Sequence, residues 1–159
     1  MITPRARHLL LVIAVLLACA SLLPAQRSQK SDEPAMGVDP EKIVHHFYLL
    51  KNGGAIEISA KDDKDADVIA AIQRHIAVQA KAFEKGNFDT PTLVHEKQPE
   101  GVPVIRKLRK EITFEVVPTD TGAALRMLSV NSQARQAIHD FLRFQIEEHK
   151  TGDPTTVEQ

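Results

Sequence analysis

The sequence predicts an α+β domain in ββα-ββα order: an antiparallel sheet of about four strands with two helices on one face. Three observations predict it. Two stretches alternate apolar and polar residues around turn residues, and two others repeat apolar residues at helical spacing. The four come in the order hairpin, helix, hairpin, helix, with a long irregular section before the second hairpin. A shift of 66 residues also superposes Ala71 on Ala137, Ile72 on Ile138, Gln79 on Gln145 and Gly86 on Gly152, which suggests internal duplication.

The chain opens with Arg5, Arg7 and His8, followed by Leu9–Ala18, an unbroken run of ten apolar residues. A helix crossing a bilayer needs about 20 residues. The run is too short for that and has the size of the apolar part of a signal peptide. Residues 1–25 are therefore read as a secretion signal, and the protein as periplasmic or extracellular. Ala18-Cys19-Ala20 is an ordinary cleavage site and Leu23-Pro24-Ala25 a poorer one. Leu16-Leu17-Ala18-Cys19 resembles a lipobox, in which a lipid on Cys19 would be the only membrane contact. An uncleaved anchor is the third reading. Residues 26–41 are polar and read as a flexible linker. Residues 42–152 form the domain, and 153–159 read as a disordered tail.

Within the domain, His45–Ala60 is a hairpin, with its turn marked by Asn52-Gly53-Gly54. Ile56 and Ile58 alternate with Glu57 and Ser59. The first strand is apolar on both sides (Phe47 and Leu49 on one, Tyr48 and Leu50 on the other), which predicts a central strand or one lining an interface or pocket. Val68, Ile72, Ile76, Ala80 and Phe83 follow at helical spacing, with Asp65 or Asp67 as cap and Gly86 as stop. Residues 86–109 show no sustained period beyond a short helix near Val104–Lys110, and a loop that long is usually functional. The second hairpin runs from Lys110 to Val130, turning at Thr119–Gly122. Asn131 or Ser132 then caps a helix with an apolar face of Ala134, Ile138, Phe141, Leu142 and Ile146, ended by Gly152.

Composition excludes several functions. Lys+Arg number 20 and Asp+Glu 21, for a net charge of -1. That balance offers nucleic acid no basic face, and with no Trp and one Tyr there is little to stack on a base. Cys19 is the only cysteine, so the domain has no disulfide, thiolate metal site or cysteine nucleophile. GxSxG, GxGxxG, P-loop and HExxH motifs are absent. His139 and Asp140 are not a catalytic pair, because neighbours on a helix diverge by about 100°. The run Arg106, Lys107, Arg109, Lys110 reads as a solvated face.

Histidines are the remaining chemistry. Imidazole is the commonest transition-metal ligand, and without thiolates copper or zinc would be the natural ions, with nickel a third. His45 and His46 are adjacent on a strand, so only one can face inward. His75 borders the first helix's apolar stripe, and His95 lies on the long loop. The candidate metal set is therefore His45, His46, His75 and His95. His139 and His149 stand ten residues apart, about 15 Å along a helix, and cannot share an ion. Gln79 and Gln145 occupy matching places on the two core stripes. They predict an inter-helix hydrogen bond or the polar lining of a pocket.

The phrases His45–Glu57, Lys85–His95, Gly101-Val102-Pro103 and Ala137–Asp153 together resemble a family of short bacterial exported proteins often labelled "aspartate carbamoyltransferase". The resemblance spans roughly residues 43–154. The matching positions are His45, His46, Gly53, Gly54, His75, His95, His139, Arg143, Gln145 and His149. True aspartate carbamoyltransferases look like chains twice this long with a Ser-Thr-Arg-Thr phosphate loop, which this sequence lacks. The resemblance therefore implies candidate positions and no reaction.

Three functions stay open at this point. The first is a non-catalytic exported binding or accessory domain, with a divalent metal as one ligand. The second is an enzyme of unassigned reaction that uses the long loop as a lid. The third is a module that forms a homodimer through the second face of the first hairpin. Protein recovered from an exporting host is expected to begin at Ser21, at Gln26 or at a lipidated Cys19, as read by intact mass. Full-length chain in the cytosol would overturn the export reading.

Overall fold

The two alternating stretches become four strands and the two periodic stretches become long helices in the computed structural model, which describes residues 37–157. The signal, Cys19 and most of the linker lie outside the described residues. The strands are β1 (Ile43–Leu50), β2 (Gly53–Ala60), β3 (Thr113–Thr119) and β4 (Gly122–Leu128). The helices are α1 (Ala66–Glu84), α2 (Asp89–Val94), α3 (Val102–Leu108) and α4 (Ser132–His149). The sheet is antiparallel, in the order β1-β2-β4-β3.

Register explains how one face becomes the core. Phe47 pairs with Ile56, Ile56 with Leu125 and Leu125 with Val116, so one row of apolar residues crosses all four strands. This face packs against Ile72, Ile76 and Phe83 of α1 and Ile138, Phe141 and Leu142 of α4. Both long helices therefore cover the same side. Their placement is crossed: α1 follows the first hairpin but packs mainly on β3 and β4, while α4 follows the second and packs on β1 and β2. The matching helix positions hold in space. Ile72 and Ile138 are both fully buried. Gly86 and Gly152 both sit beyond a helix end at positive φ, 80° and 77°.

Asp65 caps α1 by accepting the Val68 N–H, and Asn131 caps α4 by accepting those of Gln133 and Ala134. Four expectations need correction. First, the hairpin turn lies at Lys51-Asn52, because Leu50 already pairs with Gly53. The two glycines serve the sheet instead. A Cβ at Gly53 would lie 1.9 Å from the Met127 carbonyl oxygen, and one at Gly54 2.1 Å from Leu142 Cδ1. Second, β1 is an edge strand, not a central one. Its inward face lines a pocket. On the uncovered face, Tyr48 and Leu50 share the sheet with Glu57, Glu115 and Arg126, so charge interrupts that surface.

Third, residues 86–109 are mostly helical. α2 and α3 are six and seven residues long, too short to show a period against their prolines. They close over the core with Phe88, Val102 and Ile105 fully buried. Phe88 stacks on Phe83 at 4.2 Å and meets Phe141 edge-on at 5.8 Å. Fourth, the start of the tail is tied down. One Asp153 oxygen pairs with His46 Nδ1 at 2.9 Å, and the other accepts the Phe47 N–H at 2.9 Å. Arg143 Nε donates to the Thr155 carbonyl. A carboxylate thus occupies the free edge of β1, where an open N–H would invite another strand.

Gly101 and Gly152 share a φ of 77°, yet a Cβ at Gly101 would lie 2.0 Å from the Ala137 carbonyl oxygen while one at Gly152 meets nothing within 4 Å. Gly152→Ala is expected to cost about 1 kcal/mol, the penalty of the left-handed conformation alone. Gly101→Ala is expected to cost at least about 3 kcal/mol, because α3 must move off α4. Urea unfolding measures both. Equal losses would remove close approach as the reason for Gly101.

Candidate functional site

Crossing the helices leaves a pocket, partly open to solvent, between the sheet and α1, α2 and α4. Its floor is Phe47 of β1, Ile56 and Ile58 of β2, and Leu125 of β4. Its walls are Ile76, Gln79 and Phe83 of α1 and Phe141, Gln145 and His149 of α4. Thr90, Pro91 and Val94 of α2 roof it, with His95 just beyond. The cavity measures about 80 Å3. An engineered apolar cavity of about 150 Å3 holds benzene, and one water needs about 10–15 Å3. The space therefore suits a molecule of a few heavy atoms.

Four imidazoles line it: His45, His75, His95 and His149. His45 stacks on His149 at 5.0 Å between ring centroids, and His95 meets His149 edge-on at 4.9 Å. A surface groove of about 300 Å3, lined by Glu41, His46, Lys61 and Thr151 among others, also touches His45 and His149. Those two rings thus border both the cavity and the groove.

The two glutamines meet both expectations for them. Gln79 Nε2 donates to Thr90 Oγ1 at 3.0 Å, and Gln145 Oε1 pairs with His95 Nε2 at 3.0 Å. Each ties its long helix to the α2 segment while lining the cavity. Gln145 is 4% exposed, and its Nε2 has no hydrogen-bond partner. A buried donor left unpaired costs about 1–3 kcal/mol. Thr90 was not singled out from the sequence. Its only signal was its place within the long irregular section.

Burial sets the charge state of the rings. Desolvation, followed by repulsion from His75 and His46, lowers His45 to about 4. Desolvation, with repulsion from His45 and His95 outweighing attraction to Glu148, lowers His149 to about 3. Burial also lowers His75. Near neutral pH, His45 and His149 are uncharged, each with one ring donor and one acceptor.

Of the candidate metal set, His45, His75 and His95 reach the cavity, and only one of the adjacent His45 and His46 does, as strand alternation requires. His46 points to the other side of the sheet and is held by Asp153. His149, set apart from that set on the sequence, joins the cavity in its place. Among the described residues, no three His, Cys, Asp or Glu side chains are grouped so that they could hold a metal ion. His139 is structural: its Nε2–H donates to the Leu50 and Gly53 carbonyls at 3.0 and 2.9 Å, fastening the first hairpin. Asp140 turns away to Gln136 and Arg143. In the basic run, Arg106 and Arg109 donate to the Gly86 and Arg106 carbonyls.

Compared with known proteins, the chain matches no family model, no curated protein and no solved structure. The ten positions of the resemblance nevertheless sort by place. His45, His75, His95, Gln145 and His149 line the cavity. Gly53, Gly54 and His139 build the first hairpin and its contact with α4. His46 and Arg143 hold the C-terminal segment.

Acid should weaken the fold. With lowered values in the folded state, the native protein binds fewer protons than the unfolded chain below about pH 6.5. Stability therefore falls as pH drops from about 6.5 toward 4 for His45 and toward 3 for His149. Asp153 adds to this. Burial opposes its ionisation, but bonds from His46, Thr151 and the Phe47 N–H prevail and hold it below the usual carboxylate range. Its contribution is lost as pH falls through that lowered value. The expected slope is up to about 1.4 kcal/mol per pH unit for each ring. His149→Asn should remove one ring's share, as read by urea unfolding at pH 7, 6 and 5. Stability that rises on acidification would overturn the buried-neutral assignment.

Proposed function

We propose that this protein is an exported binding domain whose cavity takes a small, mainly apolar ligand. The observation that carries the reading is the lining itself: its sixteen residues include no Asp, Glu, Lys, Arg, Ser or Cys, and its polar groups are four imidazoles, two amides and one threonine. Apolar walls with a few placed polar groups are the usual make-up of a ligand pocket. The signal-like start of the chain supports export.

Catalysis has less support. The lining has no serine, cysteine, lysine or carboxylate, its one hydroxyl, Thr90 Oγ1, is engaged by Gln79, and rings lowered to about 4 and about 3 are weak bases near neutral pH. Binding of copper or zinc has less support, because among the described residues no three His, Cys, Asp or Glu side chains are grouped so that they could hold an ion. Dimerisation through the open sheet face has less support as well, because Glu115 and Arg126 stand on that face, 4.0 Å apart.

Xenon tests the reading, being apolar and small enough for the space. In nitrogen–proton correlation spectra under xenon pressure, shifts are expected to centre on Phe47, Ile56, Ile76 and Val94. Val94→Phe, which brings a ring into the cavity from the half-exposed α2 segment, should abolish them and leave the rest of the spectrum in place. No shift at these residues, or shifts indifferent to Val94→Phe, would overturn the proposal.

A further inference from the structure

The chemistry of the lining narrows the ligand further, resting on the binding reading above. We infer that the ligand is an uncharged molecule of about four to six heavy atoms carrying an oxygen acceptor, such as a carbonyl, which takes the Gln145 amide proton.

Three features lead there independently. The first is the unpartnered donor. Gln145 lines the cavity and its Oε1 is engaged by His95, which leaves its Nε2 as a buried N–H2 group without an acceptor. Gln79, its counterpart on α1, has no such vacancy, because Thr90 takes its Nε2. The asymmetry points to one polar group on the ligand, received on the α4 side. An oxygen there would remove the cost of the unpaired donor, and a hydrocarbon would leave it in place.

The second feature is charge. The lining carries no carboxylate to receive a cation and no lysine or arginine to receive an anion. His45 and His149 are neutral near pH 7, so they offer no positive charge either. Burying an ion here would meet the full desolvation cost without a counter-charge. Carboxylates and ammonium compounds are thus disfavoured by the same lining that favours their neutral relatives. The third feature is size. A space of about 80 Å3, floored by Phe47, Ile56 and Leu125 and walled by Phe83, admits a short apolar body beside the acceptor.

Four probes of similar size separate these features: 2-butanone, cyclopentane, propionate and isopropylammonium. Each is titrated into the intact domain at pH 7 and followed in nitrogen–proton correlation spectra, including the Gln145 side-chain amide. 2-Butanone is expected to shift the lining residues and move a Gln145 Nε2 proton downfield. Cyclopentane should bind about tenfold more weakly, as suits one hydrogen bond of ordinary strength, and should leave that proton unmoved. Propionate and isopropylammonium should leave the lining residues unchanged. Gln145→Met should reverse the order, because the ketone oxygen would then be buried without a donor, whereas Gln136→Met, at an exposed position outside the cavity lining, should preserve the wild-type order. The wild-type amide signal decides the matter even if a variant fails to fold.

The outcomes are distinguishable. Cyclopentane binding as tightly as 2-butanone, or either ion shifting the lining, would overturn the ligand class and leave the cavity as a binding site. If none of the four probes shifts any lining residue, the ligand class falls together with the binding reading.

Discussion

The crossed packing of the two long helices is the constraint on which the rest of the structure depends. α1 leaves the first hairpin and covers the second; α4 leaves the second and covers the first. Neither hairpin buries its apolar face chiefly with the helix that follows it. The halves must therefore form together, since a two-stranded hairpin alone is marginal in water. The crossing also brings the matching positions Gln79 and Gln145 to the walls of one cavity. Had each helix covered its own hairpin, the two amides would belong to separate surfaces.

The cavity's electrostatics follow from that enclosure. Behind Phe47, Phe83 and Phe141, burial keeps His45 and His149 neutral near pH 7 and lowers His75. Desolvation is the first cause of lowering in His45, His75 and His149, and mutual repulsion adds to it in His45 and His149. Such a cluster persists because a neutral imidazole is a modest polar group with a hydrogen-bond donor and an acceptor. The lining is then polar without being ionic, which is the property the proposed ligand class uses.

Most of the fold was legible in the sequence because its elements are long. Two helices of 19 and 18 residues repeat their apolar faces several times over, and their caps at Asp65 and Asn131 are of the preferred types. Of the α2–α3 section only α3 was legible, as a short helix near Val104–Lys110, since a six-residue helix such as α2 begins and ends before a period shows. The hairpin turn was misplaced for a different reason. Asn-Gly is a strong turn signal when glycine is wanted for its backbone freedom. Here Gly53 uses that freedom just past the turn, at a φ of 150° as the first residue of β2, and both glycines also leave room for Met127 and Leu142. For the site, strand alternation separated His45 from His46, and the 66-residue shift flagged both glutamines. His149 was set aside because its distance from His139 was judged along one helix. Which strand and loop face each end of that helix depends on tertiary packing.

His46 shows how a residue outside the cavity can still govern it. Alternation on β1 sends His46 outward and His45 inward from adjacent backbone positions. Asp153 grips the His46 ring with one oxygen and the Phe47 backbone N–H with the other, at 2.9 Å each. The grip spans the peptide unit that leads from the outward ring to the cavity floor. A one-residue slip of β1 would send Phe47 and His45 to the open face and bring His46 and Tyr48 against the helices. Glycine packing at Gly53 and Gly54 fixes this register from the β2 side, and the Asp153 carboxylate fixes it from the free edge. The C-terminal segment, polar and short, thereby holds His45 where it can stack on His149. The boundary between groove and cavity is thus set by residues outside the cavity lining.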